Sequence, residues 1–237
     1  MASTLAAGDI AIISVNSDDS DSFNFVLLTD ITAGTEIFFT DNGVLGDGSF
    51  RTNEGILEYT APNALTAGTV IEFTGVSGDF SSESGSFLLS TSGDQVIAYQ
   101  GTVAVPTFIF AVQTNSAEFQ IGSDASNQSD LPPGLTEGIH AVAVGAGSGV
   151  ESEFDNSTYN ESIISGTQEE LLAAIADAAN WNGSNSFISD LADGPFTVIG
   201  GGTTTTLAIA NAAKRNSGRT TGCARKCSEL EWGQCPI

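Results

Sequence analysis

Asp18, Asp19 and Asp21, broken only by Ser20, form a dense acidic turn between two apolar runs. Calcium takes six to eight oxygens, which loop carboxylates and backbone carbonyls supply. Three carboxylates this close repel one another unless a cation or a proton intervenes. Asp41 and Asp47 lie in the turns that follow Phe39. Strand–turn spacing can bring both loops to one end of a sheet. Asp18, Asp19, Asp21, Asp41 and Asp47 are therefore the candidate calcium ligands, with a solvated acidic turn as the alternative. The loop pattern D-x-[DN]-x-[DN]-G-x5-E is missing, so this is not an EF-hand. A second acidic stretch, residues 124–130, reads as a plain polar loop.

Other chemistry has little to stand on. His140 is the sole histidine, and all three cysteines, Cys223, Cys227 and Cys235, lie near the C-terminus. Zinc and copper sites of ordinary ligand sets are thereby excluded from the rest of the chain. A Ser-His-Asp triad must use His140, which reads as a structural strand residue. Ser148 sits in Gly147-Ser148-Gly149 without the G-x-S-x-G frame. Glu54 and Glu58 flank Ile56-Leu57 with Arg51 close by. Paired carboxylates do acid–base work or act with calcium on an ester or lactone. The plainer reading is a local ion pair at a strand edge.

Charge narrows the partners. Of 29 acidic residues only Glu229 and Glu231 follow position 213, and of six basic residues only Arg51 precedes it. Residues 1–213 thus carry a net charge of −26. A body with a single base cannot neutralise phosphates, so nucleic acid is a poor partner. Anionic lipid repels it as well. No apolar run reaches a membrane span. Metal ions or salt are the natural relief for such self-repulsion.

The elements that must position these groups read as strands between polar turns. They are Asp9–Val15, Phe23–Leu28, Glu36–Thr40, Ile56–Thr60, Thr69–Thr74, Ser86–Ser90, Gln95–Tyr99, Thr107–Val112 and Ile139–Val144. Gly93-Asp94 suggests a hairpin turn between the sixth and seventh. Turn signals about every ten residues favour a mainly β, antiparallel sandwich. One helix is predicted over 168–180: Thr167 and Glu170 form a capping box ahead of Leu171, Leu172 and Ile175. Trp181 is expected to pack the helix end onto the sandwich, and Phe196–Ile199 to form a last strand. Residues 200–206, three Gly and four Thr, read as a linker. Residues 214–237 turn basic and cysteine-bearing, as a disordered tail or as translation past a cloning junction.

The stretch AGDIAIISVNSDDSDSFNFVLLTDITAGTEIFFTDNG, residues 7–43, resembles the opening module of large secreted or surface bacterial proteins, cyanobacterial ones included. GSFLLSTSGDQVIAYQG, SDLPPGLTEG and FDNSTYN…GTQEELLAAIADAANWNGSN are similar to the same module. The strand pattern is also distantly similar to lamin-tail-like immunoglobulin sandwiches. The resemblance implies a module over residues 1–199, often followed by Calx-beta repeats, of which residues 207–213 look like a remnant. It also implies a secreted protein. The N-terminus lacks the basic and apolar regions of a signal peptide, which fits relatives that leave by type I export. Two functions stay open. One is a calcium-stabilised extracellular module that binds or assembles, with surface proteins or glycans as partners. The other is a calcium-dependent hydrolase of esters or lactones, such as acyl-homoserine lactones.

Overall fold

A computed structural model describes residues 1–18, 20–122, 125–149 and 152–200. Asp19, Asp124 and the expected remnant and tail (residues 207–237) fall outside the described residues.

The chain forms two large sheets and a small one. The first sheet has the order β12-β10-β1-β2-β5. Its members are β1 (Ile10–Asn16), β2 (Ser22–Leu27), β5 (Val70–Phe73), β10 (Asn156–Tyr159) and β12 (Trp181–Ser184). The second has the order β6-β4-β3-β7-β8-β9. It comprises β3 (Glu36–Thr40), β4 (Ile56–Thr60), β6 (Phe80–Ser84), β7 (Gln95–Thr102), β8 (Val105–Gln113) and β9 (Ala141–Ala143). Pairings in both are antiparallel except β8 with β9. The short β11 (Ser165–Gly166) and β13 (Thr197–Val198) pair in parallel. The result is the expected mainly β, sandwich-like architecture.

Phenylalanines join the two sheets. Phe23 and Phe25 of β2 each lie 4.8 Å from Phe39 of β3, ring centre to ring centre. Around them Ile10, Ile12, Leu27, Ile37, Val96, Ile109 and Val112 are buried in the same core. Aromatic pairs at such separations add to plain area burial. The second sheet is also covered on its other face. There Val44, Phe50, Ile97, Tyr99, Phe108 and Phe119 make a second core beneath the loops after β3 and β8. The loop after β3 carries Asp41, Asp47 and Glu54.

The helix, α1 (Gln168–Ile175), starts where its capping box places it. Glu170 N–H donates to Thr167 Oγ1 at 3.2 Å, and Thr167 N–H to the Glu170 carboxylate at 2.8 Å. It is shorter than predicted: a 3-10 turn follows at Ala178–Asn180, with Asp177 as its N-cap. Trp181 packs against the main core as expected, and its Nε1–H donates to Ile175 O at 2.7 Å at the helix end. His140 lies in a turn just before β9 and not within a strand.

Ser86–Ser90 is not a strand; the paired segment is Phe80–Ser84. Gly93-Asp94 makes no hairpin, because β7 pairs with β3 and β8.

Candidate functional site: a buried carboxyl cluster

Asp41, at the end of β3, is fully buried. Its Oδ1 accepts from Gly55 N–H at 2.7 Å and its Oδ2 from Leu88 N–H at 2.8 Å. One carboxylate thus ties two segments to the end of β3. Gly55 permits this approach, since a Cβ there would sit 2.1 Å from Phe87 N. Asn42 adds a second tie. Its Oδ1 accepts from Glu54 N–H, and its Nδ2–H donates to Gly55 O.

Asp94, in front of β7, is 1% exposed. Its Oδ2 accepts from Ser90 N–H and its Oδ1 from Gln95 N–H, each at 2.8 Å. Gln95 Nε2–H donates to Asp41 O and to Ser126 O. Gln95 Oε1 and Glu54 Oε2 are buried with no hydrogen-bond partner among the described residues.

These groups feel one another's charge. Burial lifts Asp41 to about 6, against N–H donation from Leu88 and Gly55, and the Asp21 charge adds to the rise. Burial and then the Asp41 charge lift Glu54 to about 7, opposed by the Ser126 hydroxyl and Arg51. Burial raises Asp94 well above the ordinary range, with Glu54 and Asp41 contributing. Three carboxyls near one another cannot all ionise at neutral pH without a partner. Such clusters of raised values are found at functional sites and in structural networks alike.

Of the five candidate calcium ligands, Asp19 lies outside the described residues and the other four are distributed as follows. Asp21 and Asp41 come together: Asp21 Oδ2 accepts from Leu89 N–H at 3.0 Å, one residue from the Leu88 N–H held by Asp41. Asp18 lies elsewhere, accepting from Asn156 Nδ2–H at 2.8 Å. Asp155 is raised by burial and then by the Asp18 and Glu153 charges, and its Oδ1 is buried without a partner among the described residues. Asp47 is also separate, and its Oδ1 accepts from the Ser49 hydroxyl and N–H. The Ser49 contacts hold its carboxyl below the ordinary value. Among the described residues no three of His, Cys, Asp or Glu form a group able to hold a metal ion.

Glu58 does not join Glu54. It sits inside the second sheet and accepts from Thr60 Oγ1. Asp94 escaped the sequence reading because Gly-Asp before a strand signals a turn. The available signal was the next residue, a Gln opening an otherwise apolar strand. His140 Nδ1 is buried without a hydrogen-bond partner among the described residues. No described helix is long and apolar enough to cross a membrane. In comparisons with known proteins, the chain matches no family model, no curated protein and no solved structure.

Proposed function

We propose that the chain is a non-catalytic binding or assembly module of a secreted or surface protein, stabilised by calcium. One observation carries the non-catalytic part. Asp41 and Asp94, the most buried of the clustered carboxyls, each commit both oxygens to backbone N–H groups. Carboxylates used this way serve to fasten loops to the end of β3 and the start of β7. His140 Nδ1 likewise has no serine or carboxylate hydrogen-bonded to it among the described residues, as a catalytic base would need for its orientation.

Calcium enters the proposal through charge. A body with 27 of the 29 acids and one base gains from any bound divalent cation. Asp18 with Asp155 is the better-suited pair of carboxyls, since Asp155 Oδ1 is unused. Backbone carbonyls complete calcium shells of this kind. Asp41 and Asp47 are engaged elsewhere. Secretion and a place in a larger surface protein rest on the composition and on the family resemblance.

A second reading draws on Glu54. A carboxyl near 7 with one oxygen unpartnered suits a general base. A calcium-dependent ester or lactone hydrolase would use it to activate water. Turnover of aryl esters and lactones by the purified chain, with calcium and with EDTA, separates the readings. We expect none above the buffer rate. Calcium-dependent turnover that Glu54→Gln abolishes would overturn the module reading.

A further inference from the structure

The outer face of the first sheet holds an unexplained polar floor. Ser14 and Asn16 of β1 and Ser22 and Asn24 of β2 all sit on that face and are all buried. The segment before β13 covers them: Asn24 Nδ2–H donates to Ala192 O, and Ala192 N–H donates to Thr158 Oγ1. The cover is incomplete. A cleft of about 530 Å³ remains between Asn16, Asn24 and Glu72 on the sheet side and Phe187, Asp190 and Asp193 on the strap.

Asn16 is 1% exposed, yet neither Nδ2 nor Oδ1 has a hydrogen-bond partner among the described residues. Asn24 Oδ1 is unpartnered in the same way. Buried amides without partners are costly and native folds rarely leave them so. The unmet capacity lines one cleft and is mixed: a donor and an acceptor on Asn16 and an acceptor on Asn24. The volume is that of a small-molecule site.

We propose that this cleft binds a neutral pyranose residue of a glycan. A sugar hydroxyl both donates and accepts, which matches a floor of amides and serines. Phe187, half exposed at the rim, offers a ring face to the apolar C–H side of a pyranose. Glu72, Asp190 and Asp193 add acceptors around the opening, and among the described residues no Lys, Arg or His lines it. That excludes phosphorylated, sulfated and uronic-acid ligands by charge. The inference rests on the binding-module reading and gives it a ligand class.

The test uses the full chain against immobilised neutral oligosaccharides (cello-, malto-, manno- and chito-series) with polygalacturonate and heparin as anionic probes. We expect saturable binding to at least one neutral series and none to the anionic probes. Phe187→Ala should weaken that binding roughly tenfold or more with little change in the unfolding midpoint, because the ring is half exposed at the rim. Asn16→Ala should weaken the binding likewise; if it fails to fold, Phe187→Ala decides. No neutral binding at millimolar sugar, binding of anionic probes alone, or wild-type affinity in Phe187→Ala each overturns the proposal. Failure here with silent ester and lactone assays removes only the ligand class. Turnover in those assays removes the module reading itself, whatever the glycans do.

Discussion

At the residue scale, the carboxyl cluster makes stability depend on pH in a defined direction. Burial raises Glu54 from 4.5 to about 7 and Asp41 from 3.8 to about 6. Between the unfolded and folded values the folded chain holds more protons than the unfolded one. Stability is therefore greatest below about pH 4 as far as these groups go, and falls as pH rises toward 7. Glu54→Gln removes the ionisation while keeping the shape. It should stabilise the fold at pH 8 by about 1 kcal/mol, after discounting for the carboxyl's partial exposure. The slope of unfolding midpoint against pH between 5 and 8 should flatten. A variant whose slope equals that of the parent would place the proton uptake elsewhere. The sequence pointed to part of this cluster. The turn positions of Asp21 and Asp41 were enough to bring them to one end. Spacing along the strand pairs Glu54 with Glu58, whereas the pairing of β3 with β4 closes the connection between them and brings Glu54 to Asp41. Such contacts leave no mark in local spacing.

At the scale of elements, the strands that were legible are those with an apolar run, and all of them but the edge strand β5 have a partner on each side. β3 and β4 fall on the predicted residues, and β1, β2, β5, β7 and β8 within a few. The errors have physical causes. β6, FSSES, is an edge strand with only Phe80 buried, so it shows no apolar alternation. Ser86–Ser90, SFLLS, does look like a strand, but Asp41 takes the Leu88 N–H and Asp21 the Leu89 N–H. Carboxylates there replace a neighbouring strand, and Leu88 is left 66% exposed. β10, NSTY, is polar yet wholly buried, because a strap covers the outer face of its sheet. No single-strand pattern announces that cover. The helix start, by contrast, is local chemistry and was readable. Thr167→Ala removes the hydroxyl that accepts from Glu170 N–H and should cost about 1 kcal/mol. Thr167→Ser keeps the acceptor and should recover most of it. Chemical denaturation of both variants checks this; equal losses would mean that the methyl packing of Thr167, not the cap, supports the helix.

At the scale of the whole molecule, charge is the dominant unspent term. Residues 1–213 carry −26, and Arg51 is their single base. Self-repulsion of this size destabilises the compact state. Two remedies make different predictions. If diffuse screening suffices, sodium and calcium chloride at matched ionic strength should raise the unfolding midpoint alike, since the Debye length depends on ionic strength. If calcium occupies the Asp18–Asp155 side, millimolar calcium should raise it well beyond matched sodium, and magnesium should do less because it demands a stricter shell. Saturation at a hundredfold excess over the dissociation constant stabilises by about 2.7 kcal/mol. For a domain of this size that is a rise of about 5–10 °C. Asp18→Asn together with Asp155→Asn should abolish the calcium-specific part and leave the sodium response intact. Asp47→Asn, whose carboxyl is engaged with Ser49, should change neither. Equal responses to sodium and calcium in the parent chain would remove calcium from the account and leave the acidic surface as a matter of screening alone.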